Sequence, residues 1–222
     1  MKTAALARVS FALAGCLLAL AAGPARAEGP ASPAAPIALA TPASLDAAVA
    51  ALEKATGAKG ARLHGRSASV PPAEGRSFEV DSATAGRLLA GSQAPFRKAG
   101  LFLFRYERAF GIADEKDQVA VLATTDWRAV IRRMGTAGAT RGVTSERIVA
   151  WLEALQADEP FELTEVGVDY VAGRFVTAPK DPSAVARRVA EFAPDLVRGH
   201  KDPIAGLADL IGRERMLYLI WD

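Results

Sequence analysis

The chain closes on six successive apolar residues, Met216-Leu217-Tyr218-Leu219-Ile220-Trp221. A run of that length without polar alternation is a strand covered on both faces, because a strand with one wet face alternates apolar and polar side chains. The end of the chain is therefore expected inside a sheet, with helices packed against it. The remaining segments supply both. Leu101-Phe102-Leu103-Phe104 and Val119-Ala120-Val121-Leu122 are strand-length runs joined by a polar loop, hence a hairpin. Residues 161–166 and 170–176 read as a second hairpin around Gly167-Val168-Asp169, and short strands are expected at 61–64 and 77–80.

Helix starts are marked by small polar residues that can accept an otherwise orphaned backbone amide. Ser44 precedes a helix from Leu45 to Thr56 that Gly57 stops, and Asp81 precedes one carrying Leu88 and Leu89. Thr125 or Asp126 caps a helix with Trp127, Val130 and Ile131. Thr144 caps one whose stripe is Ile148, Trp151, Leu152 and Leu155. Asp181-Pro182 and Asp202-Pro203 each join a cap to a first-turn proline, and the second helix is expected to stop at Gly212. Hairpins mixed with helices predict an α+β fold: a largely antiparallel sheet with helices packed on it and the C-terminal strand inside it.

The front of the chain has another character. Lys2 and Arg8, an apolar stretch from Val9 to Ala22 and the small-residue step Ala25-Arg26-Ala27 have the form of an export signal, so residues 1–27 are expected to be removed. The stretch is shorter than the roughly 20 residues of a spanning helix, and the mature chain holds no transmembrane segment. Leu13-Ala14-Gly15-Cys16 gives an alternative, cleavage at the lipobox-like cysteine with a lipid anchor on Cys16. The product is periplasmic or secreted in the first case and a lipoprotein in the second. Cleavage after Ala27 discards the single cysteine and leaves no thiol for disulfide, metal or nucleophilic chemistry. It also removes Lys2, Arg8 and Arg26, leaving 24 basic residues against 25 acidic ones. That balance does not support a nucleic-acid partner. Basic residues nonetheless outnumber acidic ones from Lys54 to Arg108, which favours an anionic partner or a scattered solvated surface.

Residues 28–43, dominated by Ala and Pro, read as a flexible tether. A small α/β portion over 44–95 is expected to pack on a main α+β domain over 96–222.

The second half also carries a set of short motifs: Gly135-Thr136-x-Gly138, the Trp151-Leu152 helix, Gly167-x-Asp169, Gly173-Arg174-Phe175, Pro194-Asp195 and the closing Leu219-Ile220-Trp221-Asp222. In order and spacing they resemble the bacterial domain-of-unknown-function family 4253, from about Val119 to Asp222. The resemblance implies a fold and no biochemical function. The family pattern has a cysteine where this chain has Ala193, an acidic-glutamine-glycine step near Arg198-Gly199-His200, and a second tryptophan at Ile220.

Catalytic signatures are sparse. There is no Gly-x-Ser-x-Gly elbow, and His64 and His200 have no partner at metal-ligand spacing, so neither a metal nor another cofactor is expected. The candidate acid–base residues are Asp169, Asp195 and His200, with Asp222 as a further carboxylate. The loop from Gly135 through Gly138 and Arg141 to Gly142, running into the Thr144 helix, reads either as an anion cradle or as a connection that needs glycine dihedrals. Gly135, Gly138, Arg141 and Asp195 are the candidate ligand-binding residues. Asp114, Glu115 and Asp117 form an acidic patch whose default is a solvated turn. The leading expectation is a non-enzymatic exported module that binds an unknown protein or small ligand in the envelope. A hydrolase-like enzyme with an Asp/His pair and a lipid-anchored envelope protein are the alternatives.

Overall fold

The computed structural model describes residues 34–65, 74–109, 115–138, 141–198 and 201–221. The leader, Cys16, Asp114, His200 and Asp222 lie outside the described residues.

The fold is α+β. Its strands are β1 (Ala61–Arg62), β2 (Gly75–Val80), β3 (Phe102–Glu107), β4 (Asp117–Leu122), β5 (Phe161–Val166), β6 (Tyr170–Phe175) and β7 (Met216–Ile220). They form one sheet in the order β1-β2-β4-β3-β5-β6-β7. Every pairing is antiparallel except β3 with β5, where Arg105 is the residue paired with Glu165. That parallel seam joins the two hairpins into a continuous layer. The closing run is a strand of this sheet and ends the strand order beside β6. Its Leu217 and Leu219 are fully buried, while Met216, Tyr218 and Ile220 on the other face are half-buried, which is why the run shows no polar alternation.

The helices are α1 (Leu45–Thr56), α2 (Ser82–Lys98), α3 (Trp127–Met134), α4 (Ser145–Asp158), α5 (Pro182–Phe192) and α6 (Pro203–Glu214). Each starts at a capping side chain: Ser44, Asp81, Asp126, Thr144, Asp181 and Asp202 accept from an amide of the first turn. Helix α6 runs past Gly212 to Glu214 and turns at Arg215, the one described non-glycine residue with positive φ. Gly212 instead faces Pro182 of α5, where an added Cβ would lie 3.4 Å from the ring, an ordinary van der Waals distance.

Strand alternation sorts the core onto two faces. Leu103, Val119 and Val121 join Phe78, Leu52, Leu88 and Phe96 in a core beneath α1 and α2. Phe102, Phe104, Ala120 and Leu122 look the other way, into a larger core with Ile131, Leu152, Val189, Ile211 and Trp221 from α3 to α6 and the chain end. The two helical layers are thus offset along the sheet.

Two boundaries differ from those expected. Helix α2 continues through Pro95 to Lys98, so position 95/96 falls within a helix. The end of the segment read as a tether is docked: the Ile37 amide donates to Arg87 O, Leu39 N donates to Ser92 Oγ, and Ser92 Oγ donates to Ile37 O. Proline denies this segment a helix or ladder, yet leaves isolated amides free to bond a neighbouring helix. No helix among the described residues is long and apolar enough to cross a membrane.

Candidate functional site

The segments singled out in the second half converge on Trp221. Gly135 caps α3 with φ 67°, a left-handed conformation that glycine adopts without a Cβ penalty. The chain then passes beneath the β5–β6 turn. Thr136 Oγ1 donates to Gly167 O at 2.6 Å and the Ala137 amide donates to Val168 O at 2.9 Å. Gly138 abuts the last tryptophan, where an added Cβ would lie 2.5 Å from Trp221 Cβ. Trp221 N donates to Asp169 O and its indole Nε1 donates to Phe192 O at 3.2 Å. Phe192 meets Trp221 edge-on and stacks on Trp151 with ring centroids 4.8 Å apart.

This arrangement bears on the anion-cradle reading. The amides of Gly135, Thr136, Ala137, Gly138, Arg141 and Val143 all donate to backbone carbonyls, and Thr144 Oγ1 accepts from Arg147 N. Amides already bonded within the protein are not available to an external anion. The glycines serve a turn and a close approach.

Two predicted residues do meet. Arg141 grips Asp195, with Nη2 2.7 Å from Oδ1 and Nε 3.3 Å from Oδ2, and Arg198 pairs with the same Oδ1. Asp195 sits in the short 3₁₀ turn Pro194–Val197, its side chain only 5% exposed, while both guanidinium groups reach solvent. The bond to Asp195 raises the affinity of Arg141 for its proton. Asp169 takes part through its carbonyl, and its carboxylate adds to the negative field around Glu107. Burial, then Glu115, Glu79 and Asp169, push the Glu107 carboxyl above its ordinary range.

A second cluster, on the opposite face, was not legible in the sequence. Arg105 Nε lies 3.1 Å from Asp117 Oδ2 in an ion contact without hydrogen-bond alignment, and Arg105 Nη1 lies 3.5 Å from Glu165 Oε1. Their side chains are 6%, 0% and 4% exposed. Arg108 closes the group from the rim, donating through Nε to Glu165 Oε2 at 3.0 Å and through Nη2 to Oε1. Asp117 Oδ1 accepts from Ser82 Oγ and Ala109 N, both at 2.9 Å. Asp117 is therefore a buried acceptor, which corrects the solvated default for that patch; Glu115 is exposed as expected. Tyr170 is buried beside the group, and desolvation followed by the Glu165 charge raises its phenol well above the ordinary value. The Arg108 guanidinium lies over the Tyr218 ring, 5.8 Å from its centroid. Among the described residues no group of three or more His, Cys, Asp or Glu is arranged to hold a metal ion.

A third feature is a groove of about 540 Å³ at the other end of the sheet. Ser77 and Glu79 of β2, Gln118 of β4 and Tyr106 of β3 line it, together with the turn after α1. Lys59, Arg62 and Lys116 also line this space.

No curated protein and no solved structure matches the chain. Residues 118–222, from Gln118 in β4 through α3 to α6 and the β5–β6 hairpin to the Trp221 junction and the chain end, match the family model described as Domain of unknown function (DUF4253).

Proposed function

We propose that the chain is an exported protein of the cell envelope that acts by binding a protein or small ligand and carries out no turnover of its own. Support for export comes from the charged, apolar and small-residue sections of the first 27 residues. Support for a non-catalytic role rests on one observation: the buried carboxylates at both candidate clusters are clamped by arginine. Asp195 is held by Arg141 and Arg198, and Asp117 and Glu165 by Arg105 and Arg108. General acid–base work needs a group that gains and loses its proton near the working pH. A carboxylate whose oxygens are taken up by guanidinium groups within the protein is not placed to exchange a proton with a bound substrate and serves as a structural acceptor.

The test is turnover. The purified protein is assayed against chromogenic esters, phosphoesters and glycosides, alongside Asp195→Asn. The expected result is background hydrolysis by both. Hydrolysis by the parent that disappears in a folded Asp195→Asn variant overturns the reading in favour of the Asp/His enzyme.

A further inference from the structure

We propose that the groove over β2 and β4 binds a small polyhydroxylated anion, a sugar phosphate or a sugar acid. The inference deepens the binding reading and rests on it. Its first support is charge. Lys59, Arg62 and Lys116 line the groove, and none of them forms an ion pair among the described residues, unlike Arg97, Arg105, Arg108 and Arg141 elsewhere. Glu79 is the single carboxylate among the described lining residues. The C-terminal end of α1 also opens here, and its carbonyls carry about half a negative charge. The described lining residues carry two net positive side-chain charges, more than that half charge, which favours an anion in the groove.

The second support is the mixture of polar and aromatic groups. Glu79 Oε1 accepts from Gln118 Nε2 at 3.3 Å, which leaves a carboxylate oxygen and an amide oxygen as acceptors for ligand hydroxyls. Ser77 adds a hydroxyl at the floor, and the half-buried Tyr106 offers a ring against which the C–H face of a sugar can lie. The Tyr106 phenol, protonated at neutral pH in any case and pushed further up by burial and then Glu107, is a donor there. At about 540 Å³ the space suits a small molecule and excludes a folded partner.

The experiment is calorimetric titration of the purified exported protein with glucose 6-phosphate, glucuronate, glucose and inorganic phosphate. At least one sugar anion is expected to bind saturably, at least tenfold tighter than glucose and inorganic phosphate, with affinity falling as salt rises. Binding by glucose 6-phosphate alone assigns a sugar phosphate, and binding by glucuronate alone a sugar acid. Lys59→Gln with Lys116→Gln, both at exposed positions, is expected to weaken binding tenfold or more without moving the thermal midpoint, whereas Arg188→Gln on α5, outside the lining, leaves it unchanged. Failure of both sugar anions to saturate at millimolar concentration overturns the proposal, as does unchanged binding by the lysine variant or equal binding of inorganic phosphate. Because this titration reads neither export nor turnover, its failure leaves those two tests to judge the binding reading separately.

Discussion

Gly138 lies so close to Trp221 that any Cβ on it would stand 2.5 Å from the Cβ and 2.7 Å from the Cγ of the tryptophan. Neither partner has room to retreat, because Trp221 is 1% exposed and bonded through both nitrogens to Asp169 O and Phe192 O. Gly138→Ala is therefore expected to destabilise the fold by about 1–3 kcal/mol, the usual cost of overpacking a filled site. Urea denaturation gives the value; an unchanged midpoint would mean that the chain end does not hold this position.

Asp117 is the most deeply buried charge of the Arg105 cluster, and its removal leaves Arg105 with only the longer contact to Glu165. Asp117→Ala is expected to cost about 3–5 kcal/mol, as when one partner of a buried pair is deleted. Asp117→Asn is expected to cost less, because the side-chain oxygen that accepts from Ser82 and Ala109 is retained. Equal losses for the two variants would show that the hydrogen bonds contribute nothing measurable.

Glu107 supplies a pH signature. Its carboxyl titrates above the ordinary glutamate range, so in the window just above that range the folded state binds the proton more tightly than the unfolded chain. Stability from this group is accordingly present at low pH and falls as pH rises through the window. Glu107→Gln is expected to raise the denaturation midpoint at pH 7 and to leave it unchanged near pH 4. A variant that is less stable than the parent at pH 7 contradicts the sign.

The docked segment before α1 makes a separate case. A chain starting at Ala34 keeps Ile37 and Leu39 against α2, and one starting at Ser44 loses their three hydrogen bonds and partial burial. The shorter chain is expected to be less stable by about 1.5–4.5 kcal/mol, given about 0.5–1.5 kcal/mol for each of the three bonds. Identical thermal midpoints would restore the view of the whole segment as a tether.

What the sequence disclosed and what it hid divide along physical lines. Ser44, Asp81, Thr144, Asp181 and Asp202 announced their helices because capping is a local interaction between a side chain and amides two or three residues on. The two hairpins and the apolar stripe of α4 were visible as periodicity. The Arg105 cluster was not. Register shifts at Arg105/Glu107 in β3 and Leu163/Glu165 in β5 break the alternation that would assign faces, and the parallel seam pairing Arg105 with Glu165 spans 60 positions. Asp117 looked like part of a wet acidic turn because its neighbours in sequence are acidic, whereas its partners come from β3 and the start of α2. Of the candidate site, Arg141 and Asp195 were both named from sequence, but their mutual pairing depends on the 3₁₀ turn that presents Asp195. The groove is hidden in the sequence because its lining comes from four strands and two loops, with only a regional excess of basic residues to hint at it.

Export as a binding module, as proposed above, is decided by the location and intact mass of the protein recovered from a producing bacterium. The expected product is in the envelope or medium and begins at Glu28, without Cys16. A species beginning at an acylated Cys16 would shift the assignment to a lipid-anchored form of the same module. Full-length protein retaining Met1 and residing in the cytosol would contradict the account.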